Sequence, residues 1–183
     1  PSPERDGYVL AGWEDEKGNL YTEQFVMPIG NTSLKAVWKE KIAYAIYSAS
    51  DTSLRFVRSA EVIQPGTTYN GRIVTDVFTG FEETTYSSRE EVPWYDGNVY
   101  DDRVITKVIF EDTIRPKNTA YWFYWFWDCA YVDARKLDMS QVTDMQYMLG
   151  WCSCDAPTFD IIGINEWDVS NVTNMAYALA YNG

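Results

Sequence analysis

The sequence predicts a β-rich α+β chain whose C-terminal third begins a solenoid of stacked repeats. Three observations carry this. Short stretches of alternating apolar residues, punctuated by turn residues, run through residues 7–110. Residues 132–149 recur without a gap as residues 162–179. The aromatic share is 16%, with 8 Trp, 14 Tyr and 8 Phe, which excludes a disordered acidic tail.

The elements follow in order. Residues 7–13 alternate loosely as a strand, Asp15, Glu16, Lys17, Gly18 and Asn19 supply a turn, and residues 20–26 return. Met27, Pro28, Ile29, Gly30 and Asn31 break that strand, and residues 33–38 alternate again. Residues 42–47 and 54–57 flank a turn at residues 50–53 and predict a hairpin. Asn70-Gly71 is a two-residue turn signal before the alternating residues 72–78. Residues 82–102 read as a long acidic loop, and residues 104–110 as a strand. The expected domains are residues 1–41, residues 42–118 as a β-rich cap, and residues 119–183 as repeats.

The first segment resembles a known module. "GYVLAGWEDEKGNLYTEQFVMPIGNTSLKAVW" is similar to the Listeria–Bacteroides repeat of bacterial surface proteins, through Gly7, Tyr8, Gly12, Trp13, Gly18, Met27, Pro28, Leu34, Ala36 and Trp38. The resemblance implies a partial β-grasp-like fold. It lacks the strand that precedes the Gly-Tyr pair in that family, so an unpaired N-terminal edge is expected unless another segment or chain fills it.

In the repeat, Val132 and Ala134 (Ile162 and Ile164 in the copy) are expected to alternate as an inward-facing strand. Ser140, Thr143 and Asp144 are expected as turn or capping residues. Met145, Met148 and Leu149 fall three to four apart, as the inner face of one or two helical turns. A degenerate earlier copy aligns Tyr124, Phe126 and Cys129 with Tyr147, Leu149 and Cys152, 23 residues upstream, and the unequal spacing places an insertion near residues 154–157. One such unit cannot bury its apolar face alone, so units stack. "LDMSQVTDMQYML" and "WDVSNVTNMAYAL" resemble the BspA-like leucine-rich repeat. That implies the start of a leucine-rich-repeat-like solenoid, expected to continue past Gly183 or to be covered there by another chain.

Composition narrows the chemistry. There are 27 acidic residues, 15 basic ones and no histidine, for a net charge of −12, of which −6 falls on residues 119–183. Without imidazole there is no Ser-His-Asp or Cys-His relay and no zincin helix. A pI near 4.3 speaks against nucleic acid. No apolar run approaches the ~18 residues of a membrane span. Cys129, Cys152 and Cys154 make neither a disulfide framework nor a zinc site; the first two are expected as buried apolar residues. The opening Pro-Ser-Pro reads as the start of a mature or excised piece.

Candidate sites are few. Residues 121–127 are wholly aromatic, which suggests sugar stacking or, with greater weight, a core plug. Trp94 and Tyr95, in an acidic loop, are the better candidates for exposed aromatics able to meet a partner, although anchoring of the loop carries greater weight than ligand binding. Glu82, Glu83, Glu90 and Glu91 could in principle pair as glycosidase carboxylates, though adjacent loop acids are usually solvated. Asp96, Asn98, Asp101 and Asp102 could wrap calcium but miss the EF-hand spacing. Asn31 and Asn171 open glycosylation sequons, but the second lies in the repeat signature and is better explained by capping. No catalytic, cofactor-binding or metal-ligating residue is expected. The two resemblances together imply a non-enzymatic extracellular or cell-surface protein of bacteria. It would bind a protein or glycan on a host or neighbouring cell through a concave sheet, whose outward positions are Asp133, Arg135, Gly163 and Asn165. A self-assembling structural subunit is the alternative, and a carbohydrate-binding accessory the third reading.

Overall fold

The computed structural model describes residues 3–22, 33–95 and 103–180. The Met27–Asn31 turn, the Asn31 sequon and the possible calcium loop at residues 96–102 lie outside them. The chain divides into two compact units, Pro1–Ile42 with Arg58–Val62, and Ala43–Val57 with Ile63–Gly183. Both are built of strands and turns. Among the described residues no α-helix occurs, only two three-residue 3-10 turns, Arg89–Glu91 and Ile164–Glu166. The α part of the expected α+β class is therefore corrected. Among the described residues no helix is long and apolar enough to cross a membrane.

In the first unit, β1 (Tyr8–Asp15) lies between β2 (Leu20–Tyr21) and β3 (Leu34–Glu40) in an antiparallel sheet. The β1–β3 ladder runs from Tyr8 against Glu40 to Asp15 against Leu34, with a bulge between Leu10 and Gly12. Strand β1, where the missing partner was expected, thus has β3 along its whole length and β2 at Trp13 and Glu14. Gly12 is required by close approach, since a Cβ there would lie 2.5 Å from the Tyr21 carbonyl oxygen. Asp15 organises the turn: its carboxylate accepts from the amides of Lys17 and Asn19, the Asn19 side chain and the Tyr21 hydroxyl.

The second unit is organised by a six-stranded sheet. Its strands are β4 (Ile42–Ser48), β5 (Ser53–Ser59), β8 (Asp76–Thr79), β9 (Lys107–Phe110), β10 (Tyr131–Asp133) and β11 (Asp160–Ile162), in the order β11-β10-β9-β5-β4-β8. Strands β5, β9, β10 and β11 run parallel, while β8 is antiparallel to β4. Residues 42–118 and 119–183 therefore share one sheet. The short strands β6 (Thr68–Tyr69) and β7 (Arg72–Ile73) form a hairpin closed by Asn70 (φ 46°) and Gly71 (φ 79°), the positive pair a two-residue turn requires.

Parallel pairing sorts side chains into rows. Leu54, Val108, Val132 and Ile161 form the inward row, and Arg55, Ile109, Asp133 and Ile162 the outward one. The expected inward pair Ile162 and Ile164 is corrected by one residue. Ile161 faces in, and the strand ends at Ile162 because Gly163 turns the chain at φ 89° into the Ile164–Glu166 turn. Beneath the sheet, Phe56 is in ring contact with Phe81, Trp94, Phe110, Trp122 and Phe123, all buried.

Candidate functional site

Opposite the strands, each repeat returns through a run of tight turns that stack on one another. Asn118, Asp144 and Asn174 are bridged in parallel and start these runs. Each side chain accepts the amide two residues on, at Ala120, Gln146 and Ala176. This is Asx-turn chemistry, which frees neither the backbone nor the side chain to wander. Asp138 and Asp168 do the same for Ser140 and Ser170. The caps are thus aspartates and asparagines; Ser140 and Thr143, expected in that role, are not the acceptors.

After each Asx residue the amides alternate between two jobs. Those of Tyr121, Phe123 and Trp125 donate to the next run at Gln146, Met148 and Gly150, and those of Tyr147, Leu149 and Trp151 donate to Ala176, Ala178 and Ala180. The residues between close their own turns, as in Met148 to Met145 and Gly150 to Tyr147. The three-to-four spacing of Met145, Met148 and Leu149 therefore comes from consecutive turns and not from a helix, although all three side chains are buried as expected. The bonding also corrects the earlier repeat. Tyr121 and Trp125 match Tyr147 and Trp151, a register of 26 and not 23. The extra residues of the longer second repeat lie mostly between Trp151 and Asp160, around the expected 154–157.

Tyr121, Trp125, Tyr147, Trp151 and Tyr177 all have positive φ, between 51° and 66°. A bulky residue there is strained by about 1–3 kcal/mol. The left-handed step carries these rings to the outside while Trp122, Phe123, Met148 and Leu149 go to the core. Outside, the rings form a ladder. Tyr147 stacks on Tyr121 (5.3 Å, 22°) and on Tyr177 (5.0 Å, 10°), and Tyr124 meets Tyr121, Tyr147 and Trp151. Arg89 is nearly buried between Tyr95 and Trp125, with its guanidinium carbon 4.1 Å from each ring centroid. Beside this row, Trp125, Trp127, Trp151, Cys154 and Asp155 line a cleft of about 330 Å³. Its rim is set by the Asp155 amide donating to the Trp127 carbonyl at 3.0 Å. No protein-family model, no curated protein and no solved structure matches this chain. The site therefore has to be read from its own geometry.

The outward sheet face is the second feature. Asp133 and Arg135 form a two-point ion pair, with Nη2 to Oδ2 at 2.6 Å and Nε to Oδ1 at 2.9 Å. Arg135 holds the Asp133 carboxyl below its ordinary pKa. With Ile109, Phe110, Glu111 and Lys136 they line a cleft of about 440 Å³. Farther along the row, Arg55 is bonded to Glu111 and Asp51. Of the four outward positions expected to meet a partner, Arg135 and Asn165 are exposed and Asp133 is mostly covered. Gly163 is buried, and a Cβ on it would lie 2.6 Å from the Arg135 amide nitrogen, so it has no surface to offer.

For Trp94 the exposed reading is corrected, and the side chain instead anchors its loop. It is 1% exposed, and its Nε1 donates to the Trp122 carbonyl at 2.5 Å inside the Phe56 cluster. Tyr95 is half-buried on Arg89. The acidic context suggested exposure, and nothing local signals the ring cluster that claims Trp94. The 121–127 run divides, with Trp122, Phe123 and Phe126 in the core and Tyr121, Tyr124, Trp125 and Trp127 half-exposed. Glu82 accepts the Arg115 amide, Glu83 pairs with Lys117, and Glu91 caps the Ser87 amide, which lowers its pKa, opposite to what a general acid needs. Cys129 and Cys152 are buried side by side, and the Cys152 thiol is held protonated first by its Cys129 neighbour and then by burial.

Proposed function

We propose that this chain is a binding segment of a bacterial surface or secreted protein, stacked as a BspA-like leucine-rich-repeat solenoid and acting without catalysis. The observation that carries the reading is the row of five aromatic residues at positive φ. The strained step turns large rings outward as it sends their neighbours inward, and strain held at outward positions is a recurring mark of sites kept for recognition. The parallel rows Leu54–Val108–Val132–Ile161 and Asn118–Asp144–Asn174 support the solenoid part. The partner is a protein or glycan on a host or neighbouring cell, met chiefly on the aromatic ladder and only secondarily at Arg135 and Asn165. The test is binding of the purified chain to panels of matrix proteins and glycans. Retention by at least one ligand, lost on Tyr177→Ala and kept on Asn165→Ala, supports it; panels on which wild type and Tyr177→Ala behave alike sink it.

A second reading, a self-assembling structural subunit, is favoured by the last described turn, where Met175 (53%) and Leu179 (49%) are exposed. Sedimentation velocity separates the two. Concentration-dependent dimers abolished by Leu179→Lys would favour assembly, and a monomer at all concentrations would favour the binding segment.

A further inference from the structure

We propose that the cleft lined by Trp125, Trp127, Trp151, Cys154 and Asp155 binds a quaternary ammonium ion of the choline type, one that carries no adjacent anion. The inference rests on reading the aromatic face as a binding surface and names the chemistry of one part of it.

The argument starts from shape. Trp125 is tilted 42° to Trp127 (5.8 Å) and 71° to Trp151 (6.3 Å). Three indoles inclined in this way line a hollow and do not form a flat shelf. A pyranose stacks on a flat ring, whereas a round trimethylammonium head can touch several inclined rings at once. Hydrogen bonding points the same way. A sugar brings several hydroxyls that need partners, and sites that recognise them supply convergent polar groups. Here the lining offers one carboxylate, one thiol and the indoles. A quaternary ammonium has no N–H and asks only for electron-rich faces and a negative charge.

Charge supplies the third step. Asp155 is exposed on the rim, none of the described residues lining the cleft is Lys or Arg, and residues 119–183 carry a net −6. Such a field attracts a lone cation and repels an anion tied to it. Trp125 already holds one cation, the Arg89 guanidinium at 4.1 Å, which shows that the rings of this face take positive charge. Because that ring is shared with Arg89, substitutions at Trp127, Trp151 and Asp155 are the ones that test the cleft. Cys154 and Asp155 belong to the stretch that lengthens the second repeat, so the same insertion that breaks the period forms one wall of the cleft.

Isothermal titration of the full 183-residue chain with tetramethylammonium, choline, phosphocholine, 3,3-dimethyl-1-butanol (the uncharged isostere of choline) and methyl glucoside tests this. The expected result is one site for tetramethylammonium and choline, weaker binding of phosphocholine and none of the isostere. Trp151→Leu should weaken choline roughly tenfold or more, and Asp155→Asn about three- to tenfold. Asp155 is exposed, so its variant reports on binding with an unchanged far-ultraviolet spectrum even if Trp151→Leu disturbs the turn. The proposal is overturned if the isostere binds as well as choline, if neither ammonium probe binds, or if Asp155→Asn and Trp127→Leu both leave choline affinity unchanged. Methyl glucoside or panel ligands that bind and are lost on Trp151→Leu, with no ammonium binding, would remove this inference and keep the surface reading. Choline binding with silent panels would keep this inference and remove the protein or glycan partner from the proposed function.

Discussion

Gly163 joins two chain segments at a distance that only hydrogen can fill. Its φ is 89°, and a Cβ would meet the Arg135 amide nitrogen at 2.6 Å and the Arg135 Cα at 2.7 Å, both backbone atoms that cannot rotate away. Gly163→Ala is therefore expected to destabilise the second unit by about 2–4 kcal/mol, combining the backbone penalty with the clash. Urea unfolding checks this; a loss below about 0.5 kcal/mol would mean that β10 and β11 part easily. Asp15 carries a different lesson. Bonds from the Asn19 side chain and amide, and further from Tyr21 and Lys17, hold its pKa at about 2, below the ordinary 3.8. A depressed carboxyl contributes stability that is present above the unfolded value and is lost as pH falls through about 2. Carboxyl NMR should show Asp15 titrating near that value, and Asn19→Ala should move it up towards the ordinary range. An unmoved titration would place the cause elsewhere.

At the scale of elements, period was legible and register was not. The long copy from residues 132–149 to residues 162–179 was visible because its Asx, Thr, Met and Tyr residues perform the same bonds in both. The first repeat aligns falsely in the sequence because Tyr124 and Cys129 imitate Tyr147 and Cys152, while the true signal is Asx, Tyr three residues on and an aromatic four further, as in Asn118, Tyr121 and Trp125. Helix and consecutive turns also bury the same positions, so an inner face at Met145, Met148 and Leu149 could not tell them apart. The aromatic ladder has no signature in the sequence, because left-handed residues of this kind are usually Gly or Asn. Its stacking offsets part of the strain, at about 0.5–1.5 kcal/mol per ring pair. Tyr147→Ala removes the central ring, with its contacts to Tyr121, Tyr124 and Tyr177, while keeping the positive φ. It should cost about 1–3 kcal/mol, whereas Tyr147→Gly, which relieves the backbone, should cost less. Thermal unfolding of the two variants decides the order; Gly less stable than Ala would remove the backbone-strain argument.

At the scale of the whole second unit, residues 42–118 and 119–183, which read as separate regions in the sequence, share one sheet and one core. A β-rich chain could be foreseen from alternation and turn residues, but not that β5, β9, β10 and β11 run parallel, because parallel neighbours come from distant stretches and leave no local mark. The rings that bind the second unit together come from five stretches: Phe56 on β5, Phe81, Trp94, Phe110 on β9, and Trp122 with Phe123 in the first turn run. Each looks ordinary in its own segment, and Trp94 looks exposed. Phe56 is the ring they have in common, fully buried and stacked at 4.4 Å on Phe110 and 5.6 Å on Trp122. Phe56→Ala is accordingly expected to cost about 3–5 kcal/mol, and Phe56→Leu, which keeps much of the volume, distinctly less. The location of the loss is the sharper test. If the unit is one cooperative body, amide hydrogen exchange in Phe56→Ala should quicken together at Val108, Val132 and Leu149, residues of a strand in the cap region, a strand in the repeat and a turn on the far side. Acceleration confined to Phe110 and its neighbours would instead show that the repeats hold themselves up and only borrow the cap.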